Sequence, residues 1–244
     1  MADRTLTVGI EVAVVSAAFI LGMFASPILS YVLYENGDSS KPEVAQRAQT
    51  AEFDEGRELQ RFRFSVDGRE HTAALHVPKG IVAGVSVPLV VVFHGGKDST
   101  ARAITGNWVS MFDREAILVF PNGQRDRPDE PAWKVDDPND LRDVELTKAL
   151  VKELEELYDV DPARRYVAGF SNGGMQTMML MCHASEMFAG AAVVHQTLHN
   201  HLAETCQPAR PVPLLYINGT ADAQWSGRYF SRSAPDTFEW WSRR

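Results

Sequence analysis

Gly169-Phe170-Ser171-Asn172-Gly173 is the stretch that most narrows what this chain can become. It follows Arg165-Tyr166-Val167-Ala168, which reads as a short buried strand. It precedes Gly174-Met175-Gln176-Thr177-Met178-Met179-Leu180-Met181-Cys182, which reads as an apolar helix. A G-x-S-x-G pattern between a strand and a helix marks a sharp turn that holds a serine Oγ clear of the backbone. Gly169 and Gly173 have to be small, because a side chain at either would crowd the neighbouring strand and helix. That packing in turn holds the serine in a strained backbone region. Ser171 is the candidate nucleophile, and the backbone N–H of Asn172, at the helix start, is a candidate donor to a developing oxyanion.

The chain around this turn alternates strand and helix. Residues 59–78 carry two alternating runs with Asp67-Gly68 between them, a hairpin at a sheet edge. Val87-Pro88-Leu89-Val90-Val91-Val92-Phe93 is a continuous apolar run, as expected of a strand covered on both faces. It ends in His94-Gly95-Gly96-Lys97, where the N–H near Gly96 is the candidate second oxyanion donor and His94 reads as a support for the turn rather than a base. A helix is expected over 108–115 and a second buried strand with a turn over 116–123. The long polar loop 124–139 holds Trp133, which either faces substrate or packs the loop onto the domain. The next helix buries Val144, Val151, Leu154 and Tyr158. Asn139 or Asp140 is its expected cap, and Asp161-Pro162 its stop. Strands are expected again over 189–194 and 213–220. This order predicts an α/β fold with a mostly parallel, doubly wound sheet and a ligand site at the C-terminal edges of its strands. Asp222, just after the last of those strands, is the candidate acid that would orient a base histidine.

From Val12 to Tyr34 no residue is charged, long enough to cross a bilayer as a helix. The organisation read from the sequence is a membrane anchor over 1–34, a polar linker over 35–58 and a folded domain over 59–244. A cleaved signal peptide is the rival reading of the first segment, and in both readings the domain lies outside the cytoplasm, anchored or secreted. The net charge of -8 argues against nucleic acid as a partner. His195, His199 and His201 invite a metal reading, but no acidic or cysteine ligand is spaced beside them, and no metal is expected.

Taken together, His94-Gly95-Gly96, Val119-Phe120-Pro121-Asn122-Gly123, Asp161-Pro162-Ala163-Arg164-Arg165-Tyr166-Val167, Phe170-Ser171-Asn172-Gly173-Gly174-Met175 and Asn218-Gly219-Thr220-Ala221-Asp222 resemble an α/β-hydrolase family. It is that of the polyhydroxybutyrate-depolymerase-type esterases, with feruloyl and acetylxylan esterase relatives, and the likeness runs from about Arg63 to Arg244. It implies a secreted serine esterase without a metal or organic cofactor, with Ser171 as nucleophile, Asp222 as acid by position, and an oxyanion hole near Gly96 and at Asn172. It also suggests a disulfide between Cys182 and Cys206, as two cysteines in an exported domain do. One departure is Arg142, where the family often shows a second aspartate.

The implied substrates are polysaccharide-linked acyl or feruloyl groups, polyhydroxyalkanoate-type polyesters or small esters. The competing reading is a membrane-tethered pseudo-hydrolase that binds a ligand or partner. The triad order for this fold is Ser, acid, His, yet no histidine follows Asp222. The expectation is therefore a missing base, a sheet lacking its last strand and helix, Trp240 and Trp241 partly uncovered, and little activity, with substitution of the base by His195 as the disfavoured alternative.

Overall fold

Short apolar runs form the inner strands of one sheet, and alternating or polar segments form its β1–β3 end. The computed structural model describes residues 49–50, 59–79, 81, 84–96, 116–123, 132–219 and 231–244. The apolar segment 12–34, the expected helix 108–115, Lys97 and Asp222 lie outside them. Among the described residues no helix is long and apolar enough to cross a membrane.

The strands are β1 (Gln49–Thr50), β2 (Gln60–Val66), β3 (Arg69–His76), β4 (Val87–Phe93), β5 (Ile117–Pro121), β6 (Val160–Phe170), β7 (Gly190–Val194) and β8 (Leu214–Ile217). They form a sheet of order β1-β2-β3-β5-β4-β6-β7-β8. The ladders from β5 through β8 are parallel, and those joining β1, β2, β3 and β5 are antiparallel. The helices are α1 (Arg142–Leu157), α2 (Asn172–His183), α3 (Asn200–Thr205) and α4 (Ala234–Ser242).

Local chemistry accounts for most boundaries and for several departures from expectation. Asp67 and Gly68 both take positive φ, 48° and 74°, as a two-residue hairpin loop demands. The hairpin is not the outermost pair, because Gln49–Thr50 of the expected linker pairs with Gln60–Arg61. Adding an edge strand uses main-chain groups, so a polar sequence can do it.

Helix α1 is capped at Leu141, with no side-chain bond to the cap, rather than by Asn139 or Asp140. Asp140 accepts the Arg142 N–H at 3.3 Å and pairs with its guanidinium at 2.7 Å. The helix ends before Tyr158, and β6 runs through Asp161-Pro162. Pairing jumps from Val87↔Val160 to Leu89↔Arg165, so Pro162, with no N–H to give a ladder, falls in the irregular stretch.

Both sheet faces carry apolar residues. Leu89, Val91, Phe93 and Val167 join α1 and α2 in the larger core, and Val90, Val92, Leu118 and Ala168 form the other face. Residues Gly173 to Cys182 of α2 are all buried. Cys182 at its end is bonded to Cys206, which follows α3. Contrary to expectation, Trp240 and Trp241 on α4 are covered, each 8% exposed, meeting edge to face at 4.7 Å within the larger core. The Arg244 guanidinium also lies over Trp240, 3.5 Å from its ring centre. Beside them, the Leu198 N–H donates to Thr237 Oγ1 at 3.0 Å.

Candidate active site

Ser171 lies between β6 and α2 with φ 53° and ψ −121°, a left-handed conformation that a serine adopts only when its surroundings impose it. Its N–H continues the ladder to the Val194 carbonyl at 3.0 Å, and its own carbonyl accepts from Met175 N–H at 3.1 Å, opening α2. The glycines on either side are jammed. A Cβ at Gly169 would come within 2.1 Å of the Gly173 carbonyl oxygen, and one at Gly173 within 2.4 Å of the carbonyl oxygens of Phe93 and His94. The turn is thus wedged against the end of β4.

That strand end carries the glycine pair. A Cβ at Gly96 would lie 3.6 Å from Asn172 Cβ, and one at Gly95 3.3 Å from the Phe170 ring, so the structure brings Gly96 and Asn172 side by side. His94 is buried, with Nδ1 bonded to the Gly95 carbonyl at 2.6 Å and Nε2 accepting the Gly123 N–H at 3.0 Å. Both ring nitrogens support turns.

Trp133 is fully buried and does not face substrate. Its indole N–H donates to the His94 carbonyl at 2.9 Å, and its ring meets Phe93 edge-on at 4.9 Å. Its backbone N–H donates to Asn172 Oδ1 at 2.7 Å, and Asn172 Nδ2 donates back to its carbonyl at 3.3 Å. The segment 132–135 therefore ties the turn after β4 to the start of α2. The Asn172 side chain and Gly123 are the positioning groups that sequence reading missed. Asn122-Gly123 after β5 was their one visible signal, and their partners lie far off in the chain.

His195 follows β7, next to the strand that carries Ser171. It too has positive φ, 54°, donates its N–H to Ile217 at 2.8 Å, and stacks on Phe170 with ring centres 5.3 Å apart. Phe170 is 45% exposed. Burial lowers the pKa of His199, His201 lowers it further and Asp136 opposes them. His199 Nε2 lies 3.5 Å from Gln196 Nε2. Among the described residues no three His, Cys, Asp or Glu side chains are placed to hold a metal ion.

A parallel sheet with a strained serine at a glycine-bracketed strand-to-helix turn, facing a second glycine turn from the adjacent strand, defines an α/β-hydrolase. Residues 65–225 match the Esterase family, and the chain belongs to it. It is 31% identical over 150 residues to feruloyl esterase B of Piromyces equi, covering 59% of this chain and 28% of that protein. It is 28% identical over 120 residues to the poly(3-hydroxybutyrate) depolymerase of Ralstonia pickettii, covering 43% of this chain and 24% of the other. The chain spans about a quarter of the length of these two relatives. Among solved structures, native sOPH shares the fold with a TM-score of 0.55 at 16% identity, over 80% of this chain and 78% of that one.

Proposed function

We propose that the chain is a serine carboxylic-ester hydrolase, with Ser171 as nucleophile and the N–H groups at Asn172 and near Gly96 as the oxyanion hole. The observation that carries this is the strained φ of Ser171 beside a glycine turn that packs against Asn172. Backbone strain of this kind persists where surroundings over-determine it, and a turn so held presents an oxygen nucleophile with N–H donors nearby. Attack by Ser171 Oγ on an ester carbonyl would put the developing negative charge between those donors, and Asp222 is proposed to orient the base. The names of the relatives support acyl esters of polysaccharides, feruloyl esters or polyesters as substrates.

The base decides the rate. His94 spends both ring nitrogens on turn backbones, and His195 follows the strand paired with the one that leads to Ser171, which makes it the alternative base to test. We therefore propose slow turnover by these 244 residues, and a domain held outside the cytoplasm by segment 12–34.

A fluorophosphonate probe tests the nucleophile. Labelling and ester turnover should both vanish in Ser171→Ala, and turnover that survives the substitution would refute the assignment. Fast turnover abolished by His195→Ala would establish His195 as base and overturn slow turnover. No labelling at all would favour the pseudo-hydrolase reading. Full-length chain should stay in membranes through alkaline carbonate, and its release would defeat the anchor.

A further inference from the structure

One unexplained feature is a cleft of about 560 Å³ between the β2–β3 hairpin and the start of α1, well within the size of small-molecule sites. Three elements supply its walls. The hairpin gives Asp67, Arg69 and His71, the loop before α1 gives Lys134, and α1 gives Arg142, Asp143 and Glu145. It opens on the same edge of the sheet as Ser171. β3 runs antiparallel to β5, so the start of β3 lies beyond the end of β5. In the order β3-β5-β4-β6, three strand spacings, about 14 Å, separate it from the strand that ends at Ser171.

Two titratable side chains in these walls are buried. His71 is 8% exposed, and its buried Nδ1 has no hydrogen-bond partner. Asp143 is 5% exposed, and its Oδ2 accepts the Lys134 N–H at 2.6 Å.

The charges select the ligand. Arg69, Lys134 and Arg142 line the cleft together with Asp67, Asp143 and Glu145, so an anion meets carboxylates and a cation meets guanidinium and ammonium groups. Arg142 is already paired with Asp140 at 2.7 Å, and Glu145 with Lys148 at 2.9 Å. Uncharged hydroxyls, which both donate and accept, suit every wall. Burial, and then Arg69, hold His71 below the usual imidazole pKa, so its ring is neutral at pH 7, with one donor and one acceptor.

We propose that this cleft, lined by Arg69, His71 and Asp143, binds an uncharged, hydroxyl-rich ligand of the saccharide class. The proposal rests on the ester-hydrolase reading for its purpose, as a place for the alcohol part of an ester held at Ser171. Lys134, in its wall, adjoins Trp133, which bonds both Asn172 and His94.

Binding is read at His71 itself, without ester turnover, so failure here and failure of Ser171 labelling are separate outcomes. The ring proton resonances of His71, assigned by their loss in His71→Gln, are followed by NMR as xylotriose, trigalacturonate or the glucosamine trimer is added. A saturable shift with xylotriose, weakened at least about tenfold by Arg69→Ala, is expected. Asp143→Asn, which keeps the shape of the wall, should weaken it in the same direction. No saturable shift up to roughly 20 mM, a range that still detects weak sites, would overturn the proposal. So would binding unchanged in Arg69→Ala, or either charged trimer binding as tightly as the neutral one.

Discussion

Asp143 shows how one residue can work against the fold that holds it. Burial pushes its carboxyl up to about 6 from the ordinary 3.8, against the opposing pull of the Lys134 N–H and of Arg142 and Lys134, and with Asp140 adding to the rise. A folded-state pKa above the unfolded one means that the native state holds the proton more tightly. The stability it contributes is whole below about pH 4 and is lost as pH rises through about 6. About two pKa units correspond to roughly 3 kcal/mol as an upper figure. Asp143→Asn still offers an oxygen to Lys134 N–H without the charge. It should raise the urea midpoint at pH 8, and the gain over the parent should shrink as pH falls from 7 to 4. A gain that grew with acid would contradict this sign. Trp133 works the other way. Trp133→Phe keeps the ring against Phe93 but leaves the His94 carbonyl without its donor, a loss of about 1–3 kcal/mol in urea unfolding.

At the scale of elements, the turn between β6 and α2 was readable in five letters because its requirement is steric and local. The glycine spacing states where neighbours come too close, and the contacts at Gly169 and Gly173 bear this out. Gly169→Ala would drive a methyl against backbone, not against a side chain that can turn aside. It should destabilise by about 3 kcal/mol or leave no folded protein, measured by denaturant unfolding. Gly68→Ala meets no atom within 4 Å and should cost less, through its positive φ alone. The strands were legible for a similar reason, since runs such as Val87 to Phe93 fit a covered sheet whatever their partners. What stayed illegible depends on residues far away. The burial of Trp133 is decided by His94 and Asn172, each 39 positions distant, and the passage of β6 through Pro162 depends on a pairing irregularity with β4. Gln49–Thr50 joined the sheet with no apolar pattern to announce it.

At the scale of the whole molecule, the alternation of strand and helix gave the parallel half of the sheet. It gave neither the antiparallel approach of β3 to β5 nor the cover over Trp240 and Trp241, which comes from a core shared by α4 and the segment after β7. The Cys182–Cys206 bond closes a loop of sequence separation 24 between the end of α2 and the chain leading to β8. Constraining the unfolded chain over such a loop stabilises by about 3 kcal/mol. Cys182 lies at the far end of α2 from Ser171, about 16 Å along a helix that rises 1.5 Å per residue. The bond should therefore hold the fold without shaping the nucleophile. The double substitution Cys182→Ala with Cys206→Ala should lower unfolding stability by about 3 kcal/mol. In the folded range it should leave the rate of fluorophosphonate labelling at Ser171 unchanged. Loss of labelling before any loss of structure, followed by circular dichroism on the same samples, would show that the bond sets the geometry of the turn itself. Two free thiols in the denatured, unreduced parent would show that the bond does not form in the isolated protein.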